Sequence, residues 1–138
     1  VFSFPVTVRY MEVDAQGVVF NGWYLTYFDE AMAGFFNHGG LPYQAMLDAG
    51  FDVQLVRSEI DYKAGVRWGD PIVVNVSASR FGRTSFVLDF QVRRSAEPGA
   101  EVCTNGRTVY VVVHAKEHTK REIPDLIRNA LGEPDPLF

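Results

Sequence analysis

The chain has 138 residues, 47% apolar and 14% aromatic. That is enough apolar material for one packed domain spanning 1–138, and it excludes a disordered chain. A formal net charge of -4 argues against nucleic acid as the main partner, since phosphate backbones call for a concentrated basic face.

The single cysteine, Cys103, cannot form an internal disulfide, which fits a reducing compartment. No apolar run approaches the ~18 residues of a membrane span. No charged-then-apolar segment opens the sequence. The expectation is a cytoplasmic protein with no membrane contact.

Loose alternation predicts a first strand over Val6–Tyr10. "DAQG" (Asp14–Gly17) reads as a turn. Asn21 is a candidate N-cap for the helix that follows. Tyr24, Tyr27, Phe28, Ala31, Phe35 and Phe36 then recur at helical spacing. The opposite side carries Trp23, Leu25, Ala33 and Gly34, so this helix is expected to be buried on more than one side. "HGG" ends it. A short second helix fits "LPYQAMLDAG".

Four strands are then predicted in series: Phe51–Tyr62, Pro71–Phe81, Ser85–Arg93 and Glu101–His114. Their three connections look like hairpins, which implies an antiparallel sheet. A short amphipathic segment, Asp125–Leu131, closes the chain. A long apolar helix among such strands must pack on the sheet, and the uncovered face makes a symmetric oligomer the expected state.

Asp14 has two readings. It closes an Asx-turn on the loop backbone, as turn aspartates do. Or it works beside the unpaired amides of a helix start, which carry partial positive charge and can polarise a carbonyl. There it would attack the carbonyl or activate a water. Glu12 is read as a solvated or salt-bridged strand residue.

His38, His114 and His118 have no metal-ligand spacing, and no metal is expected. No GxSxG elbow and no phosphate loop occur. Lys63, Arg67, Arg80 and Arg83 are either surface charge or a group for the phosphates of a long ligand. Tyr24, Tyr27, Phe28 and Met32 either line an acyl pocket or are core.

"RYMEVDAQGVVFNGWYLTYFDEA" resembles the signature of the 4-hydroxybenzoyl-CoA thioesterase family, on Tyr10, Asp14, Gly17, Val18, Val19, Phe20 and Tyr24. Asp61–Arg94, with its "GD" and "GRTS", and "REIP" at Arg121–Pro124 are similar to later segments of that family. The resemblance implies an α+β hotdog fold, with a five-stranded antiparallel sheet wrapped around the long helix. It implies a homodimer or homotetramer with sites at the subunit interface.

The implied activity is hydrolysis of an acyl-CoA thioester, with small and aromatic acyl groups among the candidates. Asp14 is then nucleophile or general base, and the backbone N–H of Asn21 binds the carbonyl oxygen. Gly17, Tyr24, Phe28, Lys63 and Arg83 are the implied substrate-binding residues. CoA belongs to the substrate, and no separate cofactor is implied. The alternative is a non-catalytic acyl-CoA binding or regulatory module on the same scaffold. A dehydratase is disfavoured, because it needs a histidine paired with an acid and His38 does not match that position.

Overall fold

A computed structural model describes Val1–Phe138. Its elements are β1 (Phe2–Thr7), α1 (Trp23–His38), α2 (Tyr43–Asp48), β2 (Phe51–Tyr62), β3 (Pro71–Phe81), β4 (Ser85–Arg93), β5 (Val102–His114) and α3 (Asp125–Leu131). The strands form one five-stranded antiparallel sheet in the order β1-β3-β4-β5-β2. The α+β, hotdog-type architecture expected above is therefore present.

Two of the three late connections are hairpins. The third is not: β2 pairs with β5, and β3 pairs with β1. Residues between β2 and β3 cross from one side of the sheet to the other, which leaves β2 as an outer edge.

The first strand also differs from expectation. It occupies Phe2–Thr7, and Tyr10–Glu12 is a single 3-10 turn. Phe2, Phe4 and Val6 alternate inward, and Val6 pairs with Ile72. The strand stops at Thr7, and the 3-10 turn then redirects the chain. Elsewhere β2, β3, β4 and α3 have the predicted bounds, and β5 starts at Val102.

The helix α1 lies on the sheet's concave face through Tyr24, Tyr27, Phe28, Ala31, Phe35 and Phe36, all buried. Phe28 stacks on Phe90 of β4 with centroids 4.7 Å apart. Gly106 of β5 makes that possible, since a Cβ there would lie 2.4 Å from the Phe28 ring. A glycine inside a strand has this meaning: something approaches the backbone closely. Within one chain the far side of α1 is more open than expected, and Leu25 is 44% exposed. No helix is long and apolar enough to cross a membrane.

Candidate active site

The segment leading into α1 is a miniature hairpin. Asp14 N–H donates to Val18 O at 2.9 Å, Val13 bridges Val19, and Phe20 N–H donates to Glu12 O at 2.9 Å. The loop between Asp14 and Val18 is three residues long. Gly17 N–H donates to Asp14 O at 2.9 Å, and Gly17 has φ +78°. This is a type I turn followed by a left-handed residue, a geometry that calls for glycine. "DAQG" thus encodes its own turn.

Asp14 Oδ1 accepts the Gln16 N–H at 2.8 Å, so the Asx-turn reading holds. Its other oxygen has no partner in the chain, and the residue is half-buried. Asp14 lies in an open cleft of about 600 Å³ with Tyr10, Met11, Val13, Gly17, Arg67 and Trp68 among its walls. Tyr10 and Trp68 meet edge to face at 5.2 Å and are 72% and 63% exposed. The cleft therefore combines a carboxylate, a guanidinium and an aromatic rim.

The helix start lies beyond the other end of the hairpin. Asn21 was the expected N-cap, but Gly22 takes that position, and no side chain caps the helix. The Trp23 and Leu25 amides bond to Phe20 O and Gly22 O, while those of Asn21, Gly22 and Tyr24 have no partner within the chain. These amides carry the partial positive charge of a helix N-terminus. Tyr62 Oη donates to Asn21 O at 3.0 Å and ties this corner to β2.

The hairpin register places Asn21 three residues along from Val18, opposite Asp14, which is roughly 10 Å of extended backbone.

Glu12 is where residue reading fell short. It is ion-paired as expected but not solvated: it is fully buried, in the 3-10 turn. Its carboxylate accepts from Tyr27 Oη at 2.6 Å, Arg9 N–H at 2.9 Å and Arg9 Nε at 2.8 Å. Burial alone would raise its pKa. The hydrogen bonds from the Arg9 amide, Tyr27 and the Arg9 guanidinium outweigh it and hold the carboxyl below the usual range. Burial, joined by the bond to Glu12, pushes the Tyr27 hydroxyl up. The available signal was the spacing of Glu12 from Arg9, three residues apart as in a turn.

The other candidate residues are scattered. Tyr24 and Phe28 are both 2% exposed and belong to the core, whereas Met32 faces a separate apolar cavity of about 430 Å³ beside Phe36, Met46 and Val53. Lys63 is exposed beyond β2. Arg83, in the β3–β4 hairpin, pairs with Glu122 at 3.0 Å. Arg67 alone of the four basic residues reaches the Asp14 cleft.

A curved antiparallel sheet closed over one long helix, entered through an acid-bearing hairpin, defines a hotdog-fold protein of the thioesterase type. The thioesterase superfamily profile matches residues 16–103, and the chain belongs to that superfamily. A protein of Aquifex aeolicus is 32% identical over 91 residues, covering 66% of this chain and 71% of the relative. The 1,4-dihydroxy-2-naphthoyl-CoA hydrolase of Synechocystis sp. is 24% identical over 135 residues, covering 97% and 96%. A solved structure from Aquifex aeolicus superposes with a TM-score of 0.85 at 26% identity, covering 95% of this chain and 99% of the other.

Proposed function

We propose that the chain is an acyl-CoA thioester hydrolase in which Asp14 is the nucleophile or general base. The amide of Asn21, with its unpaired neighbours at the start of α1, is the oxyanion site. The observation that carries this reading is a partly free carboxylate in an open cleft at one end of a hairpin whose other end leads into uncapped helix-start amides. Amides aimed at a developing oxyanion act without reorganisation, and one such donor is worth about 10²–10³ in rate.

The superfamily supplies the thioester chemistry, and the Synechocystis relative's name supports a CoA ester with an aromatic acyl group. The aromatic rim of Tyr10 and Trp68 suits such a group. The motif from Tyr10 to Tyr24 supports placement in the 4-hydroxybenzoyl-CoA group. The roughly 10 Å of extended backbone from Val18, opposite Asp14, to Asn21 fits a site that closes between two copies of a homodimer or homotetramer. Arg67, at the cleft, joins Lys63 and Arg83 as a candidate for the CoA phosphates. The buried, unpaired Cys103 fits a cytoplasmic setting.

The second reading, a non-catalytic acyl-CoA binding module, is favoured by the Gln16 amide occupying one Asp14 oxygen. A thiol-release assay over a panel of CoA esters, run beside a binding measurement, separates the two. Release that disappears in Asp14→Asn supports the hydrolase. Tight binding with no release supports the module.

A further inference from the structure

The convex face of the sheet carries a constellation that the Asp14 cleft does not use. The register lines up Arg57, Val109, Val87 and Arg80 in one row across β2, β5, β4 and β3. Cross-strand partners point to the same face. The next row on that face contains Glu59, Arg107, Asp89 and Ser77. Two register shifts, between Leu55 and Arg57 on β2 and between Ala78 and Arg80 on β3, fall at this level of the sheet. Bulges re-aim side chains, and here each delivers an arginine to the row.

The result is a shallow cavity of about 300 Å³ with Val87 and Val109 among its walls and guanidiniums from both edges. The three arginines differ. Arg107 is committed: it holds buried Asp89 through two bonds of 2.7 and 3.1 Å and lies 4.7 Å from the Phe138 ring. Arg57 contacts Glu59, and both are well exposed. Arg80 is exposed and forms no ion pair.

We propose that this cavity binds a small organic carboxylate, with its charge between Arg80 and Arg57 and its carbon body on Val87 and Val109. A guanidinium presents paired donors that match a carboxylate. Glu59 already offsets much of the Arg57 charge, so one free positive charge remains, which suits a monoanion better than a phosphate dianion. The valine floor adds a reason to prefer an ion with an apolar body. The site shares no residue with the Asp14 cleft.

The test titrates the full chain with benzoate, reading the methyl resonances of Val87 and Val109 by NMR. Benzamide and inorganic phosphate serve as the neutral and the non-carbon comparisons. Saturable shifts of both valines with benzoate alone are expected. Arg80→Gln, a substitution at an exposed side chain, should weaken binding about tenfold, from loss of one charge-assisted pair. Its thiol release should be unchanged, so failure here leaves the hydrolase reading untouched. Benzoate shifts that are absent, that survive Arg80→Gln, or that benzamide reproduces would overturn the proposal. Phosphate binding as tight as benzoate would also overturn it.

Discussion

Tyr27 Oη donates a 2.6 Å hydrogen bond to Glu12 Oε1, a carboxylate with no solvent exposure. The same residue's carbonyl receives the Phe20 amide, one position ahead of Asn21. Glu12 therefore clamps the hairpin to α1 by its side chain and fixes the approach to the helix start by its backbone. Tyr27→Phe should cost about 1.5–3 kcal/mol in chemical denaturation, the range for a hydrogen bond to a charged group. It should also lower kcat with little change in KM, since the hairpin carrying Asp14 loses an anchor while the cleft walls stay. An unchanged denaturation midpoint would show that the bond does not hold the hairpin.

The same network predicts an acid-sensitive fold. Glu12 has a folded pKa below its unfolded value, so its contribution is complete above about pH 4.5 and is lost as pH falls through the folded value. Tyr27 behaves oppositely. Its folded pKa is raised, so its contribution is complete below about pH 10 and is lost above it. Stability measured against pH should be level between these limits, as far as these two groups decide it. In Glu12→Gln the acid limb should be shallower than in the parent. Identical acid limbs would remove Glu12 as the cause.

The sheet was readable because its strands alternate. In β4, Phe86, Leu88, Phe90 and Val92 face inward and are buried, as the period of two requires. The turn at Asp14–Gly17 was readable because Asp and Gly each have a local reason to be there. What sequence could not provide was the crossing from β2 to β3. A hairpin and a crossover look alike when only the strands are known. Nor could it give the burial of Glu12, which depends on Tyr27 arriving from another element. Tyr24 and Phe28 show the converse, since aromatic residues at helical spacing fit a pocket or, more often, a core, and only the sheet beneath them shows that both are buried.

Asp14→Asn and Asp14→Ala should separate structure from chemistry. Asparagine keeps an oxygen for the Gln16 amide, so the Asx-turn and the hairpin survive. Thiol release should nevertheless fall about 10²–10⁴-fold, the range attributed to a positioned base. CoA-ester binding should persist. Alanine loses both the turn bond and the carboxylate, so it should lower the melting temperature as well. Equal thiol release by Asp14→Asn and the parent would reject Asp14 as base or nucleophile.

Gly106→Ala tests the packing beneath α1. The added methyl would lie 2.4 Å from the Phe28 ring, far inside van der Waals contact. The ring is stacked on Phe90 and cannot retreat toward β4. Overpacking of this kind costs about 1–3 kcal/mol. Phe28→Leu in the same chain should recover part of the loss, because a smaller side chain frees that space. Additive losses in the double variant would show that the two residues do not share one constraint.

The edge strand β2 carries the last prediction. It is 12 residues long and unpaired on one side, with Leu55 and Val56 53% and 57% exposed. Leu55 shares a surface hollow with Leu25, Thr26 and Asp29 of α1, so the edge lies beside the first turns of the helix. A long edge with free backbone groups, where Leu55 and Val56 sit beside Gln54, Arg57 and Glu59, invites pairing with another strand, and a two-fold copy of the same strand satisfies both edges at once. That pairing would bring two helix starts toward one seam. Leu55→Lys places a charge on the seam at an exposed side chain that also lines the cavity beside Phe36 and Met46, so its melting temperature is measured alongside. Light scattering should then report the 15.5 kDa single chain in place of an oligomer. Thiol release should fall with it if the site closes between copies. A parent chain that already runs as a monomer at working concentration and hydrolyses CoA esters at full rate would refute the shared site.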